Sequence, residues 1–384
     1  IIMNNKRIRI AITQGDTNGI GYELIFKAFA NAEIFDLCTP IIYGSPKIAT
    51  YHDDVLDLGA KFTIIKDASE ARDGHLNLLT VFDDDVKVDL GTPTEESGNA
   101  GLCAVDRAIA DYRQGLFDVL VTAPIDNNDS FHFSGQSRYI EDHMECDGQG
   151  LSVLTADDLR VALVTRNLPL HQVAESITKE SIVATAKKLN ESLRRDFRIS
   201  TPRIAVLSIN PKAGDNGLLG TEEQDIIRPA IDELVKDDIE AFGPYATDQL
   251  FGSGDYDYFD GILAMYYDQG LAPFRAIAPY AGVNYTAGLP IVRTAPEVGA
   301  SFEIAGRNEA DPTPMLHAIY LAIDIFRHRK EYNEAGLNPL PKLYHEKKDD
   351  SDKVRYAIPK KRDGRNQQRH DNNAQEKKSE QPKD

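Results

Sequence analysis

Residues 8–23 read IRIAITQGDTNGIGYE, and this stretch predicts the first unit of an α/β fold. Its first six residues, 8–13, form an apolar run typical of a buried strand, and a helix-like segment begins at Tyr22. The three glycines between them permit a tight turn and the close approach of a ligand before a helix N-terminus. Their spacing matches neither the dinucleotide-binding fingerprint nor a P-loop, so the pattern leaves a plain turn and a ligand loop equally open.

The same alternation of strand and helix patterns continues along the chain. Further apolar runs occupy residues 40–43, 119–122, 160–165, 203–208 and 261–265, and helix-like segments occupy residues 22–30, 98–114, 179–193, 222–236 and 315–329. This alternation predicts a largely parallel sheet covered by helices. From about residue 346 the chain is polar, rich in both charge signs and almost free of aromatic residues, which predicts a disordered tail over residues 346–384.

Composition narrows the class of protein. With 384 residues and a hydrophobic content of 41%, the chain can build about two globular domains. It has no apolar window of about 18 residues and no secretory leader, so we expect a cytoplasmic protein that does not bind membranes. The formal charge of −18 opposes binding to a phosphate backbone, so nucleic acid is not expected as a partner. Cys38, Cys103 and Cys146 share no short spacing that indicates a disulfide framework or a metal knuckle.

Several loops, most of them at predicted strand ends, carry a more specific pattern. They are VTAPI at 121–125, SINPKAGD at 208–215, FGPYATD at 242–248, MYYDQG at 265–270 and GVNYTAGLPIVRT at 282–294. Together with GDTNGIGYE at 15–23, these segments resemble the 4-hydroxythreonine-4-phosphate dehydrogenase family of pyridoxal phosphate biosynthesis. The resemblance extends from residue 8 to about residue 344.

This resemblance implies a fold, an assembly and a reaction. The fold is the two-domain α/β/α architecture of the isocitrate and isopropylmalate dehydrogenases, with a cleft between the domains. We expect the first domain at residues 1–127 plus 283–345, and the second, which also serves dimerisation, at residues 128–282. The other subunit of a homodimer completes the active site in the family. The family oxidises a substrate hydroxyl with NAD or NADP, and the resulting β-keto acid loses carbon dioxide.

The family's reaction uses a divalent cation that polarises the hydroxyl and then the ketone. The resemblance places three metal-binding histidines in the patterns T-x-H-x-P-L, N-P-H-A-G-[ED] and M-Y-H-D-Q-G, and this chain has Asn167, Lys212 and Tyr267 there. An amide, an ammonium and a phenol are poor ligands for transition metals. His171 is the nearest other histidine, but it lies where a helix should begin, which favours a surface or capping role. We therefore expect no bound divalent metal.

Other positions of the family pattern also change. Gln136 and Ser137 replace the His-Thr pair of F-P-G-H-T-E, and Arg138 replaces its glutamate. Asn127 replaces the lysine of T-A-P-I-N-K. Val298 replaces the histidine of D-H-G-T-A-x-D-I-A-G, in a loop that packs on the adenine end of the cofactor in related dehydrogenases. The sequence therefore leaves the binding of NAD or NADP open.

Several positions that can hold an anion are retained. Arg275 keeps the charge of the family's substrate-contacting lysine, and the positions that match the family pattern are Asp248, Asp268, Gln269, Asn284 and Arg293. We predict a site for the phosphate or carboxylate of a small metabolite, and its residues are Gln136, Ser137, Arg275, Asn284 and Arg293. A solvated or salt-bridged surface pair is the alternative interpretation of the two arginines.

Three interpretations of the activity are open. In the first, the chain is a dimeric scaffold that has lost metal-dependent dehydrogenation and binds a phosphorylated metabolite or a catalytic relative. This interpretation is favoured, because glycine and proline turns are intact whereas chemical positions change. In the second, the chain is still an enzyme, and Lys212 replaces the metal beside Asp248 and Asp268. In the third, carboxylates alone recruit a metal for the family's standard reaction.

Overall fold

The computed structural model describes residues 7–82, 86–126, 135–146 and 148–337. Asn127 and the predicted tail over residues 346–384 lie outside these ranges. Within these ranges, no helix combines the length and the apolar composition that a membrane crossing requires.

Twelve strands of the described residues form one sheet. They are β1 Ile8–Thr13, β2 Cys38–Gly44, β3 Phe62–Ile65, β4 Leu76–Thr80, β5 Val119–Thr122, β6 Leu151–Ala156, β7 Leu159–Leu163, β8 Arg203–Leu207, β9 Glu240–Tyr245, β10 Gly261–Ala264, β11 Val283–Ala287 and β12 Val292–Pro296. The sequence patterns indicated β1, β2, β5, β7, β8 and β10 and missed the others. The missed strands are four to six residues long, and most of them carry polar residues that interrupt an apolar run.

Helices connect the strands and cover the sheet. They are α1 Gly21–Ala28, α2 Pro46–Leu56, α3 Glu95–Arg113, α4 Gln136–His143, α5 Leu170–Ser176, α6 Lys179–Arg195, α7 Arg228–Lys236, α8 Thr247–Gly252, α9 Tyr267–Ile277 and α10 Thr313–Gly336. Local sequence fixes where two of the longest begin. Thr94 and Thr178 each accept a hydrogen bond from the backbone N–H three residues later, at Ser97 and Ser181, and these serines accept one in return. This reciprocal capping satisfies backbone donors that the first helical turn leaves open.

The strands reverse direction at the centre of the sheet, whose order is β3-β4-β2-β1-β5-β12-β11-β6-β7-β10-β8-β9. The strands from β3 to β12 in this order are parallel. β11 is antiparallel to β12 and β6, β6 is antiparallel to β7, and the strands from β7 to β9 are parallel again. The predicted, largely parallel α/β sheet is thus confirmed. Here an edge of the sheet means the side at which the strand ends lie, and the sheet has two such edges. Because of the reversal, the C-terminal ends of β5 and β12 lie at one edge, whereas those of β7, β10, β8 and β9 lie at the opposite edge.

The sheet order brings distant segments of the chain together. Strands from residues 8–122 share one half of the sheet with β12, and strands from residues 151–264 form the other half. β11 pairs with both halves, so that hydrogen bonds run continuously from one half to the other. The division into domains at residues 127 and 283 stays a prediction.

The glycine-rich turn after β1 is packed inside the protein. Every residue from 13 to 26 is buried. A Cβ atom at Gly21 would lie 2.0 Å from the carbonyl oxygen of Gln14, and one at Gly15 would lie 2.5 Å from the carbonyl oxygen of Pro124. These distances leave no room for a side chain. Of the two interpretations that the sequence left open, the structure supports the packed strand-to-helix turn.

Candidate ligand-binding site

A cleft of about 560 Å³ lies over the antiparallel centre of the sheet. Side chains of β12, β11, β6 and β7 line it, together with segments from both edges of the sheet. These segments are the residues after β5, after β12 and after β7, and the first turns of α4 and α9. The polar and charged residues of the lining are Gln136, Ser137, Arg138, Ser152, Arg166, Asn167, Tyr267, Asn284, Arg293 and Glu297. A cleft of this volume suits a small metabolite.

Arg293 is the charged group buried most deeply in this lining, with 3% of its surface exposed. Its guanidinium donates hydrogen bonds to Thr122 Oγ1 at 3.1 Å, Ser137 Oγ at 3.0 Å, Thr286 Oγ1 at 3.3 Å and Gln136 Oε1 at 3.4 Å. All four partners are neutral. Among the residues that the structure describes, no carboxylate forms a hydrogen bond or an ion pair with it. Three residues predicted to bind substrate, at positions 136, 137 and 293, therefore lie in direct contact.

The cleft carries more positive than negative charge. Burial lowers the pKa of Arg293 to about 10, an effect that nearby Glu297 opposes and Arg166 reinforces. Burial also lowers the pKa of Arg166, with Glu141 opposing this effect and Arg138 reinforcing it. Arg293 is buried and Arg166 partly buried, and neither forms an ion pair with a described residue that would offset the cost of desolvation. Such a site favours the binding of an anion.

Asn284 reaches the cleft from β11, whereas Arg275 lies outside the lining. Ser152 Oγ donates to Asn284 Oδ1 at 2.8 Å, and Asn284 Nδ2 donates to Glu297 Oε2 at 3.4 Å. The other oxygen of Glu297 accepts a hydrogen bond from Arg275 Nη2 at 2.9 Å. The side chain of Arg275 is 58% exposed, so its charge is shared between this ion pair and water. The guanidinium of Arg293, unlike that of Arg275, belongs to the cleft lining together with Asn284.

The predicted catalytic residues lie outside the cleft. Lys212, Asp248 and Asp268 are exposed residues that follow β8, β9 and β10, and none of them lines the cleft. Lys212 begins a run of six residues with positive φ, from 212 to 217. Gln269, which the sequence grouped with these residues, is buried. Its side chain accepts from Met265 N at 2.7 Å and donates to the Ser208 carbonyl at 2.5 Å and to Thr247 Oγ1 at 2.9 Å. It therefore joins the ends of three strands.

The fold and the cleft can now be compared with known proteins. The family model described as "Pyridoxal phosphate biosynthetic protein PdxA" matches residues 36–322. The chain belongs to this family. It is 51% identical over 357 residues to 4-hydroxythreonine-4-phosphate dehydrogenase of Bacteroides thetaiotaomicron, covering 92% of this chain and 98% of the relative. It is 35% identical over 327 residues to the enzyme of the same name from Sulfurihydrogenibium sp., covering 84% of this chain and 100% of the relative.

Solved structures of PdxA-family enzymes share the fold. The 4-hydroxythreonine-4-phosphate dehydrogenase of Klebsiella pneumoniae aligns with a TM-score of 0.70 and 29% identity, over 84% of this chain and 100% of that chain. The enzyme of the same name from Burkholderia phymatum aligns with a TM-score of 0.67 and 31% identity, over 84% and 99%. The predicted α/β class and the predicted family are both confirmed.

The residues of this chain do not fit the divalent metal that the PdxA family implies. Asn167 and Tyr267 line the cleft, but Lys212 is exposed outside it. Burial and the charge of Glu297 raise the pKa of the Tyr267 phenol, which keeps it protonated and a poor ligand. No group of three or more His, Cys, Asp or Glu residues is arranged to hold a metal ion in the part of the chain that the structure describes.

Two residues that contact Arg293 and two that line the cleft were not assigned a role from sequence. Thr122 and Thr286 support Arg293 from β5 and β11, and both lie within motifs that carry the family resemblance. Glu297 begins the segment that corresponds to the family's D-H-G pattern. Arg166 occupies the unspecified position of T-x-H-x-P-L, so no motif could have singled it out. Val298 also lines the cleft, and its apolar side chain cannot form the hydrogen bonds of an imidazole at that position.

Proposed function

We propose that this chain is a homologue of 4-hydroxythreonine-4-phosphate dehydrogenase that retains a cleft for a small phosphorylated metabolite and has lost the metal-dependent oxidation. The observation that carries the proposal is the buried guanidinium of Arg293, which lines the cleft and whose hydrogen-bond partners among the described residues are all neutral. Burying a charge without a counter-charge costs free energy. A phosphate or carboxylate bound at this guanidinium would offset that cost through charge-assisted hydrogen bonds.

The loss of oxidation follows from the charge that the reaction develops. Oxidation of a hydroxyl and decarboxylation of a β-keto acid pass through an alkoxide and an enolate, which a divalent cation stabilises. Asn167 and Tyr267 supply no such charge, and the neighbouring guanidiniums carry one positive charge each and cannot chelate. The proposed role is therefore a scaffold that binds the phosphorylated ligand or a catalytic relative. A bound divalent metal is not part of the proposal, and NAD or NADP stays an expectation from the family.

The alternative is an active dehydrogenase that uses Lys212 or carboxylates in place of the metal. Lys212, Asp248 and Asp268 all lie outside the cleft of their own protomer. These three residues could act in a cleft only if they belonged to a second subunit whose loops reached the cleft of the first. The alternative thus depends on a dimer whose active site is shared.

A homodimer is itself part of the proposal. Exposed apolar side chains occur in segments that follow β7, β8 and β10, which are neighbouring strands that end at the same edge of the sheet. These side chains are Leu168, Leu170, Leu218, Leu219 and Tyr267. Apolar surface concentrated at one edge is typical of a protein interface. A subunit bound there would cover these side chains beside the cleft.

The proposal is tested by measuring binding and turnover on the same preparation. The purified chain is titrated with 4-phosphohydroxy-L-threonine in a calorimeter, and NADH formation is followed with the Bacteroides thetaiotaomicron relative as positive control. Binding heat without NADH formation is the expected result. NADH formation within about tenfold of the control, a change of only about 1.4 kcal/mol in the barrier, would establish the active alternative. An absence of binding would overturn the retained cleft.

A further inference from the structure

We propose that Arg166 supplies the second guanidinium of the anion site, so that the cleft selects a phosphate dianion over a singly charged anion. This inference rests on the proposed function, because it assigns a new specificity-determining residue to the same cleft. The sequence pointed to Arg275 as the second arginine. In the structure Arg275 lies outside the cleft lining, whereas Arg166 lies within it together with Arg293.

The backbone that presents Arg166 is held firmly. Thr165 precedes it at the end of β7, and both the N–H and the hydroxyl of Thr165 donate to the Met265 carbonyl, at 3.1 Å and 2.7 Å. On the other side, Leu168 N donates to the carbonyl of Arg166 at 2.8 Å. These contacts join β7 to the end of β10. The partly buried side chain of Arg166 therefore starts from a fixed position beside the cleft.

The guanidinium of Arg166 has donors to offer a ligand. It makes no hydrogen bond or ion pair with any residue that the structure describes. The negative charge of Glu141 acts on Arg166, but Glu141 Oε1 accepts the backbone N–H of Gly150 at 2.7 Å, and no ion pair between described residues joins Glu141 to Arg166. Arg138 also faces this region, and its Nε contacts Asp142 Oδ1 at 2.9 Å. Among the described residues, Arg166 thus has no ion-pair partner that occupies its donors.

Two guanidiniums in one cleft, neither in an ion pair with a described residue, match the charge of a phosphate monoester. At pH 7 such a group carries a charge of about −1.5 to −2, because its second pKa is about 6. Glu297, the carboxylate in the cleft lining, is already engaged by Arg275 and Asn284. A single carboxylate would offset only one of the two guanidiniums, whereas a dianion bound between Arg166 and Arg293 offsets both. The charge balance therefore points to the phosphate as the group that Arg166 binds.

The test compares Arg166→Gln and Arg166→Lys with a surface control. Arg327→Gln is the matched control, because Arg327 is half-exposed on α10 and lies 4.0 Å from Asp324. Each protein is titrated with 4-phosphohydroxy-L-threonine at pH 5.0 and at pH 7.5, on either side of the second phosphate pKa of about 6. The unphosphorylated 4-hydroxy-L-threonine serves as the carboxylate-only probe. Thermal unfolding without ligand verifies that each variant is folded.

We expect Arg166→Gln to weaken the binding of 4-phosphohydroxy-L-threonine at pH 7.5 by about tenfold or more. The affinity of this variant should also increase less from pH 5.0 to pH 7.5 than that of the unmodified protein. Arg166→Lys should restore the pH dependence, since it keeps the charge, with an affinity below that of the unmodified protein. Arg327→Gln should bind normally, and binding of the carboxylate-only probe should not change in Arg166→Gln.

Three results would overturn the inference in different ways. If Arg166→Gln binds the phosphorylated ligand as the unmodified protein does while Arg293→Gln has lost binding, this inference fails and the proposed function stands. If the unmodified protein binds no phosphorylated ligand, both fail. An equal loss in Arg166→Gln at both pH values with an unchanged pH profile would indicate a structural role and would also refute the assignment.

Discussion

Replacing Arg293 by glutamine should abolish anion binding without destabilising the free protein. Burial lowers the pKa of Arg293 from its usual value to about 10, which corresponds to roughly 3 kcal/mol against the charged form in the folded state. The substitution removes this cost. It also removes hydrogen bonds to four neutral groups, each with a net contribution of about 1 kcal/mol. The two effects nearly cancel, so the free energy of unfolding should change by about 1 kcal/mol or less.

The sign of the pH effect follows from the same pKa. The folded-state pKa of Arg293 lies below the unfolded value, so the folded protein binds this proton less tightly than the unfolded chain does. The cost is therefore fully present below about pH 10 and declines only as the pH rises above that value. At neutral pH the unmodified protein bears the whole cost, and the proposed binding of phosphate at Arg293 would relieve it.

Asp196→Asn should behave differently from Arg293→Gln, because the buried charge of Asp196 is compensated by two arginines. Its carboxylate accepts hydrogen bonds from Arg329 Nε at 2.8 Å, Arg195 Nε at 2.9 Å and the Tyr285 hydroxyl at 2.6 Å. Burial raises the pKa of Asp196, but the arginines outweigh this effect and hold the pKa below its usual value. Removing one partner of such a network costs about 3–5 kcal/mol. The contribution of Asp196 is present above about pH 4 and is lost as the pH falls through the lower folded pKa.

Urea denaturation with and without 4-phosphohydroxy-L-threonine measures the free energy of unfolding of each variant and its increase on ligand binding. At a ligand concentration of about 100 times Kd, binding should stabilise the unmodified protein by about 2.7 kcal/mol. The Arg293→Gln variant should show no such stabilisation, although its stability without ligand should be close to that of the unmodified protein. The reasoning is refuted if this variant is destabilised as much as Asp196→Asn, or if the ligand still stabilises it.

Three further predictions concern the metal, the assembly and the glycine turn. Mass spectrometry should find no stoichiometric divalent metal in the unmodified protein. The triple substitution Asn167→His, Lys212→His and Tyr267→His should increase the metal content. One divalent ion per chain in the unmodified protein would contradict this prediction. Light scattering at micromolar concentration should give the mass of a dimer, and a monomer would count against the shared site. Gly21→Ala should lower the free energy of unfolding, measured by urea denaturation, by about 1–3 kcal/mol. Gly252→Ala is the control and should not lower it, because no atom lies within 4 Å of the new Cβ. Equal effects of the two substitutions would contradict the close packing of the turn at Gly21.

The sequence alone determined the class of the fold and the family. Apolar runs and helix-like segments alternate along the chain, and this local periodicity is sufficient for a largely parallel α/β sheet. Motifs at 15–23 and 282–294 carry the family resemblance that the comparisons confirm. The identities of Asn167, Lys212 and Tyr267 can likewise be read directly from the sequence. Each of these conclusions depends on residues that are neighbours along the chain.

Only the tertiary structure decided which side chains share the cleft. The antiparallel strands β11 and β6 reverse the strand direction, so the loops after β5 and β10 belong to opposite edges of the sheet. Arg293 meets Thr122, which is 171 residues away, through a hydrogen bond that no local pattern specifies. Arg166 enters the cleft and Arg275 does not, although Arg275 lies in a family motif and Arg166 occupies an unspecified position. Local periodicity determines which segments form strands and helices, but strand order and direction determine which distant side chains meet.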